Sequence, residues 1–589
     1  MRGRWQDPDA EWPPMHPIRA CRRPQVETRP HRAHTSVSPY TFEEFPIDRR
    51  EFLRLAGAAA LVGALESCTS RDPSGTPSAS ASGTQPSSAL ATSTAASSAP
   101  ASAATSATPA VSSAAQIADL DALAKALGSK LLRPNDSGYL TAARLYSTRY
   151  DGVRPAAVAQ CATKEDVQKC LAFIRATGMP VAARSGGHSY AGYSTTSGLV
   201  INLAPMKQVK TTGTNSATVG AGATLADVYA GLASQNQAIP GGSCPTVGIT
   251  GSTLGGGVGV LARKYGLSCD AVTAIDLVTV DGKAIRCTEK TEADLFWAHR
   301  GGGGGNFGIV TSIEFQTNAT QSLTHFLVRW DWSHAHDVVT AWQEWLPTTP
   351  NELWSSLHID GAGSSLDTPH VYASGVFVGS PSGLSPLLDS LQSASKAPMT
   401  TRFVQAGDYL STMFVEGGCA TLTATECHRA DIDPGGKLGR EANYARSDFI
   451  ASPLASAGVD ALLAGIERRR TLNLPGGSVL FDAYGGAINS IAPGDTAFFN
   501  RDKLACLQYV APWAASAPSS VVASNKAWLD GLYGQLRPYV SGYAYLNYID
   551  PKLADWQHAY YGANLARLTN VKAAADPSNL LAFPQGLPT

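Results

Sequence analysis

The sequence predicts an α+β protein in which a ligand-binding α/β part is joined to a second part where strands and helices follow a different pattern. Three observations predict it. Strand, helix and strand patterns follow one another between Val158 and Ala183, which is an α/β unit. A glycine-rich loop, GGSCPTVGITGSTLGGGVG, runs from Gly241 to Gly259. From about 321 to 530, strands rich in Leu, Val, Trp and Tyr alternate with helices.

The bulk numbers agree with a large enzyme. The chain has 589 residues, 44% hydrophobic and 16% charged, with a net charge of -1. That is ample for a sizeable core. The near-neutral balance argues against nucleic acid, whose phosphates demand a basic face. Abundant Ala, Gly, Ser and Thr suit an exported protein. The 10 cysteines include no C-x-x-C pair, and His and Cys show no metal-ligand spacing, so no metal is expected.

Residues 1–47 are irregular and rich in Pro, Arg and His, and carry no fold signal. Asp48-Arg49-Arg50-Glu51-Phe52-Leu53-Arg54, followed by the apolar run Leu55 to Leu65, resembles a twin-arginine export signal. The run is shorter than the ~20 residues that cross a bilayer. Leu65-Glu66-Ser67-Cys68 resembles a lipobox with Cys68 as the lipid-bearing residue, though Glu66 is unusual there. The rival outcome is plain secretion, and either way the protein is expected outside the cytoplasm. Residues 1–68 are thus read as a leader. Residues 69–115 are Ser, Ala, Thr and Pro almost throughout and read as a disordered tether.

Folded sequence is expected from about Ile117. Ala118 to Leu131 reads as a helix and Val158 to Cys161 as a strand end. Thr163 caps a helix that runs to Thr177, with Asp166 completing a capping box. Gly178-Met179-Pro180 stops it, and Val181 to Ala183 is a short strand. Arg184-Ser185-Gly186-Gly187-His188-Ser189-Tyr190 follows directly. His188 therefore stands at the carboxyl end of a strand, where α/β folds place ligands. In the 241–259 loop, glycine lets backbone N–H groups approach a ligand. Successive N–H groups make an anion-binding concavity suited to a diphosphate. Cys244 at its mouth suggests a covalent hold on that ligand. Within the loop, Gly257-Val258-Gly259-Val260-Leu261-Ala262 fits G-x-G-x-x-A, but no apolar strand precedes it, so a nicotinamide site is rejected. Ile309-Val310 begins a core strand. Further on, His325–Trp332, Leu353–Asp360 and His370–Val378 read as strands, and Ala335–Leu346 and Leu384–Ser395 as helices.

Taken together, RSGGHSYAGYS at 184–194, CPTVGITGSTLGGGVGVLARKYG at 244–266, Asp294 to Ala298 and GGGGGNFGIVTSIEF at 301–315 form a recognisable set. Tyr545-Leu546-Asn547-Tyr548 and NLARLTNVKAAADPSNLLAFPQGLP at 564–588 complete it. The set resembles the flavin-linked oxidases of the berberine bridge enzyme type, in the vanillyl-alcohol-oxidase-like superfamily. The resemblance implies a two-lobed PCMH-type FAD-binding domain over 117–320. It implies a substrate domain over 321–530, an antiparallel sheet roofed by helices whose alternating side chains face the flavin. A C-terminal segment, 531–589, would return to the FAD domain.

By the same resemblance FAD is held twice, by His188 at the 8α methyl and by Cys244 at C6. Imidazole and thiolate are good nucleophiles. Gly186, Gly187, Ser189 and the 251–259 run, with Gly251, Gly255, Gly256 and Gly259, would cradle the diphosphate through N–H groups. Arg184, Ser185, Tyr190, Val247, Gly248, Thr250, Ile309 and Tyr545 complete the implied cofactor site. Gly304, Asn306 and Gly308 would line the adenosine side. Oxidising a C–H bond next to oxygen needs the carbon over flavin N5, a base for the hydroxyl proton, and exclusion of water. The resemblance makes Tyr548 the base and puts Asn547 against the flavin. A tyrosine with a pKa near 10 must be depressed by its neighbours to serve.

Phe481 to Ser490 reads as the matching strand of the roof. Plant alkaloid members carry a catalytic glutamate where this chain has Ser490, which leaves Tyr548, with Tyr484, as proton acceptor. Ser252, where plant members often have histidine, is a second departure. In the family it resembles, a small branched residue at the place of Val247 leaves room for dioxygen. The expected activity is a bicovalent flavoprotein oxidase acting on an alcohol or sugar hemiacetal and producing hydrogen peroxide. The alternatives are a covalent-FAD dehydrogenase with a non-oxygen acceptor and a binding lipoprotein without turnover. Cys161–Cys170 and Cys419–Cys427 are short-loop disulfide candidates.

Overall fold

The structure, a computed structural model, describes residues 114–589 except 363–366 and 475, with side chains from 120 onward. The export signal, the Cys68 lipobox and all but the end of the 69–115 segment lie outside the described residues.

The first sheet holds β1 (Leu131–Leu132), β2 (Ala157–Gln160), β3 (Val181–Arg184) and β4 (Leu199–Asn202), in the order β1-β2-β4-β3. β2, β4 and β3 are parallel. Parallel neighbours need a crossover, and the helix Lys164–Thr177 provides it between β2 and β3. Its capping box forms as expected, with Thr163 Oγ1 accepting from the Asp166 N–H. Val167, Cys170, Leu171 and Ile174 form its buried stripe. The preceding helix spans Ala114–Leu127, four residues short of the expected end at Leu131. Gly128, at a φ of 61°, breaks it, and Leu131 instead pairs with Ala159.

The second sheet is antiparallel, made of β5 (Val209–Gly213), β6 (Ser216–Gly220), β8 (Val272–Val278), β9 (Ala284–Cys287) and β10 (Ile309–Gln316). A short ladder joins β7 (Gln237–Ala238) to β11 (Asn318–Ala319). Ile309 and Val310 are buried, as expected of a core strand.

The third sheet has seven antiparallel strands: β12 (Leu323–Trp330), β13 (Leu353–Asp360), β14 (His370–Val378), β15 (Thr401–Gly407), β16 (Ala442–Ile450), β17 (Ser478–Ala483) and β18 (Ala505–Trp513). Their order is β15-β12-β14-β13-β17-β18-β16. β13 and β14 have the expected limits, and β12 lies two residues earlier than expected. The period of two separates the faces. Ser355 and Phe481 meet Trp342 of the helix Ala335–Trp345, the indole nitrogen donating to Ser355 Oγ at 3.0 Å. Ser356 and Asp482, directly paired across β13 and β17, point the other way into a cleft. β17 ends at Ala483, so residues 484–490 are not the strand the sequence suggested. Gly485 and Gly486, at φ of 89° and 57°, turn the chain out of the sheet, a backbone that side chains resist.

The chain then comes back to the first half of the molecule. Ala544, Tyr560, Tyr561 and Leu568 pack with Trp297, Ala298 and Phe307 in one buried cluster. Cys419 and Cys427 are disulfide-bonded. Cys161 and Cys170 are not; their sulfurs stand 3.8 Å apart. Among the described residues no cluster of three or more His, Cys, Asp or Glu could hold a metal ion. None of their helices is long and apolar enough to cross a membrane.

Candidate active site

Two loops meet backbone to backbone and bring His188 and Cys244 together. A Cβ on Gly186 would lie 2.2 Å from the Gly248 nitrogen, and one on Gly248 would lie 2.2 Å from the Gly186 nitrogen. No larger residue allows that approach. Ser185 Oγ donates to the Ala221 carbonyl at 2.6 Å and anchors the first loop. Arg184, expected at the cofactor, is buried instead and spends its guanidinium on the carbonyls of Ser194 and Ala142. His188 Nε2 lies 2.8 Å from Thr246 Oγ1, and Cys244 Sγ lies 3.8 Å from the same oxygen. The imidazole stacks on Tyr146 with ring centroids 3.8 Å apart. Burial, helped by the Arg429 guanidinium, pushes the His188 imidazole down to about 3. Burial and the Glu441 carboxylate push the Cys244 thiol up to about 11, with Thr246 opposing. Both groups are therefore neutral at pH 7.

The surroundings fit a large polar cofactor. Among the described residues no backbone acceptor meets the N–H groups of Gly186, Gly187, His188, Ser189 or Tyr190. Thr250 Oγ1 and Thr253 Oγ1 are buried without a partner, which is costly unless a ligand satisfies them. Gly251 opens onto free space. The rest of the 251–259 run departs from the expected cradle. The Gly256 N–H donates to Thr253, and those of Gly257 and Val258 donate to the Tyr545 hydroxyl at 2.9 and 3.1 Å. Gly255, Gly256 and Gly259 make room for protein: added Cβ atoms would meet the Asn547 amide, the Phe498 ring and the Gly241 carbonyl. Asn306, expected beside adenosine, accepts the Leu587 N–H at 3.0 Å and so pins the tail. Ser189 Oγ accepts from the Tyr193 N–H. Val247 is half-buried at the core's edge.

Across the cleft, the tail places Tyr548 against the sheet. Its hydroxyl donates to Asp482 Oδ2 at 3.2 Å, and Ser356 Oγ donates to Asp482 Oδ1 at 3.1 Å. Tyr190 lies parallel to Tyr548 at 5.5 Å, with Gln508 donating to the Tyr190 hydroxyl at 2.6 Å. Tyr545 meets Tyr548 edge-on at 4.9 Å. Burial raises the Asp482 carboxyl to about 6, against the pull of its two hydrogen bonds. Burial, and then the Asp482 charge, holds Tyr548 well above its usual 10. The expected depression of Tyr548 is thus absent; the group hydrogen-bonded to it that can take a proton near neutrality is Asp482. One further expectation is corrected, and Asn547 gains a structural role. Tyr484 is buried edge-on to Phe449, its hydroxyl unpartnered, and it does not line the cleft. The Asn547 amide donates to the Ser252 carbonyl and the Tyr545 hydroxyl at 2.8 and 2.9 Å, which makes it a brace for the loop. Ser490 is exposed and donates to the Ala487 carbonyl, beyond the end of the roof strand at Ala483.

The cleft, of about 80 Å³, is walled by Trp354, Ser356, His358 and Asp482 from the sheet and by Ser243, next to Cys244, from the loop. Asp482 was missed in the sequence. Its signal was a lone acid between Phe481 and Ala483, at an inward strand position.

Loops with unpaired N–H groups and a Tyr–Asp pair suit a nucleotide cofactor and a hydroxyl substrate, and the chain is similar to known proteins over most of its length. Residues 155–288 match the FAD binding domain family, and residues 544–588 match the family described as berberine and berberine like. The FAD-linked oxidoreductase YgaK of Bacillus subtilis is 32% identical over 444 residues, 74% of this chain and 91% of the relative. The structure of BBE-like 1 from Physcomitrella patens superposes with a TM-score of 0.72 at 29% identity, covering 80% of this chain and 99% of that one. The xylooligosaccharide oxidase of Myceliophthora thermophila C1, solved with xylobiose, gives 0.70 at 27% identity and the same coverage. The fold and the relatives are those of an FAD-linked oxidoreductase. Within that class the chain belongs to the berberine bridge enzyme-like family.

Proposed function

We propose that this protein is an exported oxidase that carries FAD on both His188 and Cys244, oxidises a sugar hemiacetal or related alcohol, and yields hydrogen peroxide. The observation that carries the reading is the Tyr548–Asp482 hydrogen bond, set in a cleft whose wall adjoins Cys244. FAD, when bound, supplies the acceptor for the hydride that leaves the substrate carbon. The remaining work falls to side chains. Thr246 engages His188 Nε2, which leaves Nδ1 free, and His188 Nδ1 and Cys244 Sγ would hold the flavin. Tyr548 receives the substrate hydroxyl proton as its own proton passes to Asp482 Oδ2. Ionised Asp482 is the final acceptor, so tyrosine need not titrate. The sugar substrate is supported by the sugar oxidase among its structural relatives. Export is supported by the paired arginines Arg49 and Arg50 and the apolar run behind them. Dioxygen as acceptor is supported by the small side chain of Val247.

The test has two arms. Protein precipitated in acid should stay yellow, and peptides containing His188 and Cys244 should both carry flavin mass. Incubation with a panel of mono- and oligosaccharides and secondary alcohols should then release peroxide. Flavin reduced anaerobically by substrate should reoxidise rapidly in air. Release of all flavin on denaturation would sink the bicovalent link. Slow reoxidation by air, with fast reoxidation by a quinone or dye, would favour a dehydrogenase.

A further inference from the structure

The cleft holds a second carboxyl that the reaction above does not use. Glu416 is the last residue of the helix Tyr409–Glu416. The helix end is pressed onto the Cys244 loop, since a Cβ on Gly417 would lie 3.0 Å from the Ser243 carbonyl and 3.1 Å from Pro245 Cδ. Glu416 thus faces the same space as Asp482 and Ser356.

Nothing in the fold accounts for an acid there. The last carbonyls of a helix present negative partial charge, which disfavours a neighbouring anion. Burial disfavours it again and pushes the Glu416 carboxyl up to about 7, with no hydrogen bond or opposite charge pulling it back. A second, independent group in the same wall is also open: His358 is 4% exposed, and its Nδ1 has no partner, while Nε2 lies 3.3 Å from Ser374 Oγ. The charge pattern is one-sided. Among the described residues lining the cleft there are two carboxyls and no lysine or arginine. Burial holds the imidazoles of His325 and His358 neutral, at about 4 and about 3.

We propose that Glu416 is a specificity-determining residue that accepts hydrogen bonds from an uncharged or amine-bearing sugar unit and excludes units that carry a carboxylate. The inference rests on the reading of this cleft as the carbohydrate site. A uronate placed there would meet Asp482 and Glu416 with no cation to offset them, and like charges brought together in a binding site are strongly disfavoured.

The experiment compares a neutral disaccharide with the disaccharide that differs only by a uronic acid unit, using the flavin-loaded protein and its Glu416→Gln and Glu416→Lys variants. Wild type should favour the neutral sugar by roughly 100-fold in kcat/KM, chiefly through KM. Glu416→Gln should narrow the ratio about ten-fold, and Glu416→Lys should narrow it further. Flavin content and melting temperature of Glu416→Gln should match wild type. Equal use of both sugars by wild type, or a ratio changed less than about two-fold by Glu416→Gln, would overturn the proposal while leaving the oxidase reading intact. Failure of wild type to oxidise any sugar would overturn both.

Discussion

At the scale of single residues, Asp482 combines two opposed demands. Its carboxyl is buried beneath Tyr548 and Ser356, and burial raises its pKa from 3.8 to about 6. The folded protein therefore keeps a proton that the unfolded chain releases. Ionising Asp482 costs stability as pH rises past the unfolded value, and the cost is complete above about 6. Catalysis needs the ionised form. Two outcomes follow for Asp482→Asn: kcat should fall by ~10²–10⁴-fold, and the melting temperature above pH 6 should hold or rise because a buried charge is gone. In wild type, kcat/KM should climb as pH passes through about 6, and that limb should vanish in the variant. A full set of pH–rate profiles checks this; an unchanged limb would remove Asp482 from the proton path. His188, Cys244 and Tyr548 were legible in the sequence because each sits in a long, ordered motif. Asp482 was not. The roof strand was extended to Ser490, and the turn at Gly485 and Gly486 that ends it at Ala483 depends on backbone geometry.

At the scale of elements, the glycines of the two loops separate into different jobs. Gly186 and Gly248 let one backbone touch the other. Gly186→Ala or Gly248→Ala forces the loops apart and should lower both melting temperature and the flavin-to-protein ratio. Gly251→Ala meets nothing within 4 Å, so it should fold normally. A melt and an absorbance ratio on the three variants decide the matter; equal behaviour would mean that the close approach is unimportant. The sequence showed that this region was special but not which glycine did what, since the partners lie more than sixty residues away (Gly186 against Gly248). Elements with a strong local signal were legible: the Thr163–Asp166 capping box and the alternating strands Leu353–Asp360 and His370–Val378. The helix before β1 was overdrawn because its apolar residues continue past Gly128, and chain reversal there outweighs pattern.

At the scale of the whole molecule, Tyr548 reaches Asp482 because the tail comes back across the FAD-binding half. The return is locked by Lys572 and Asp576, an ion pair at 2.6 Å with both side chains fully buried. The same carboxylate accepts the N–H groups of Leu580 and Leu581 at 2.8 Å each, and Lys572 also donates to the Leu581 carbonyl. Removing one partner of such a pair leaves a buried, unpaired charge. Lys572→Met should therefore destabilise the protein by about 3–5 kcal/mol. Because Asn306 and the cluster around Trp297 hold the same segment, the damage should reach Tyr548: substrate turnover should fall even where flavin remains attached. Adding Asp576→Leu removes the stranded charge but orphans two N–H groups, so the double variant should regain only part of the loss. Denaturant melts and turnover per bound flavin measure both effects. Lost stability with normal turnover per flavin would show that Tyr548 is positioned by the sheet alone, and that the tail's return serves only to hold the fold together.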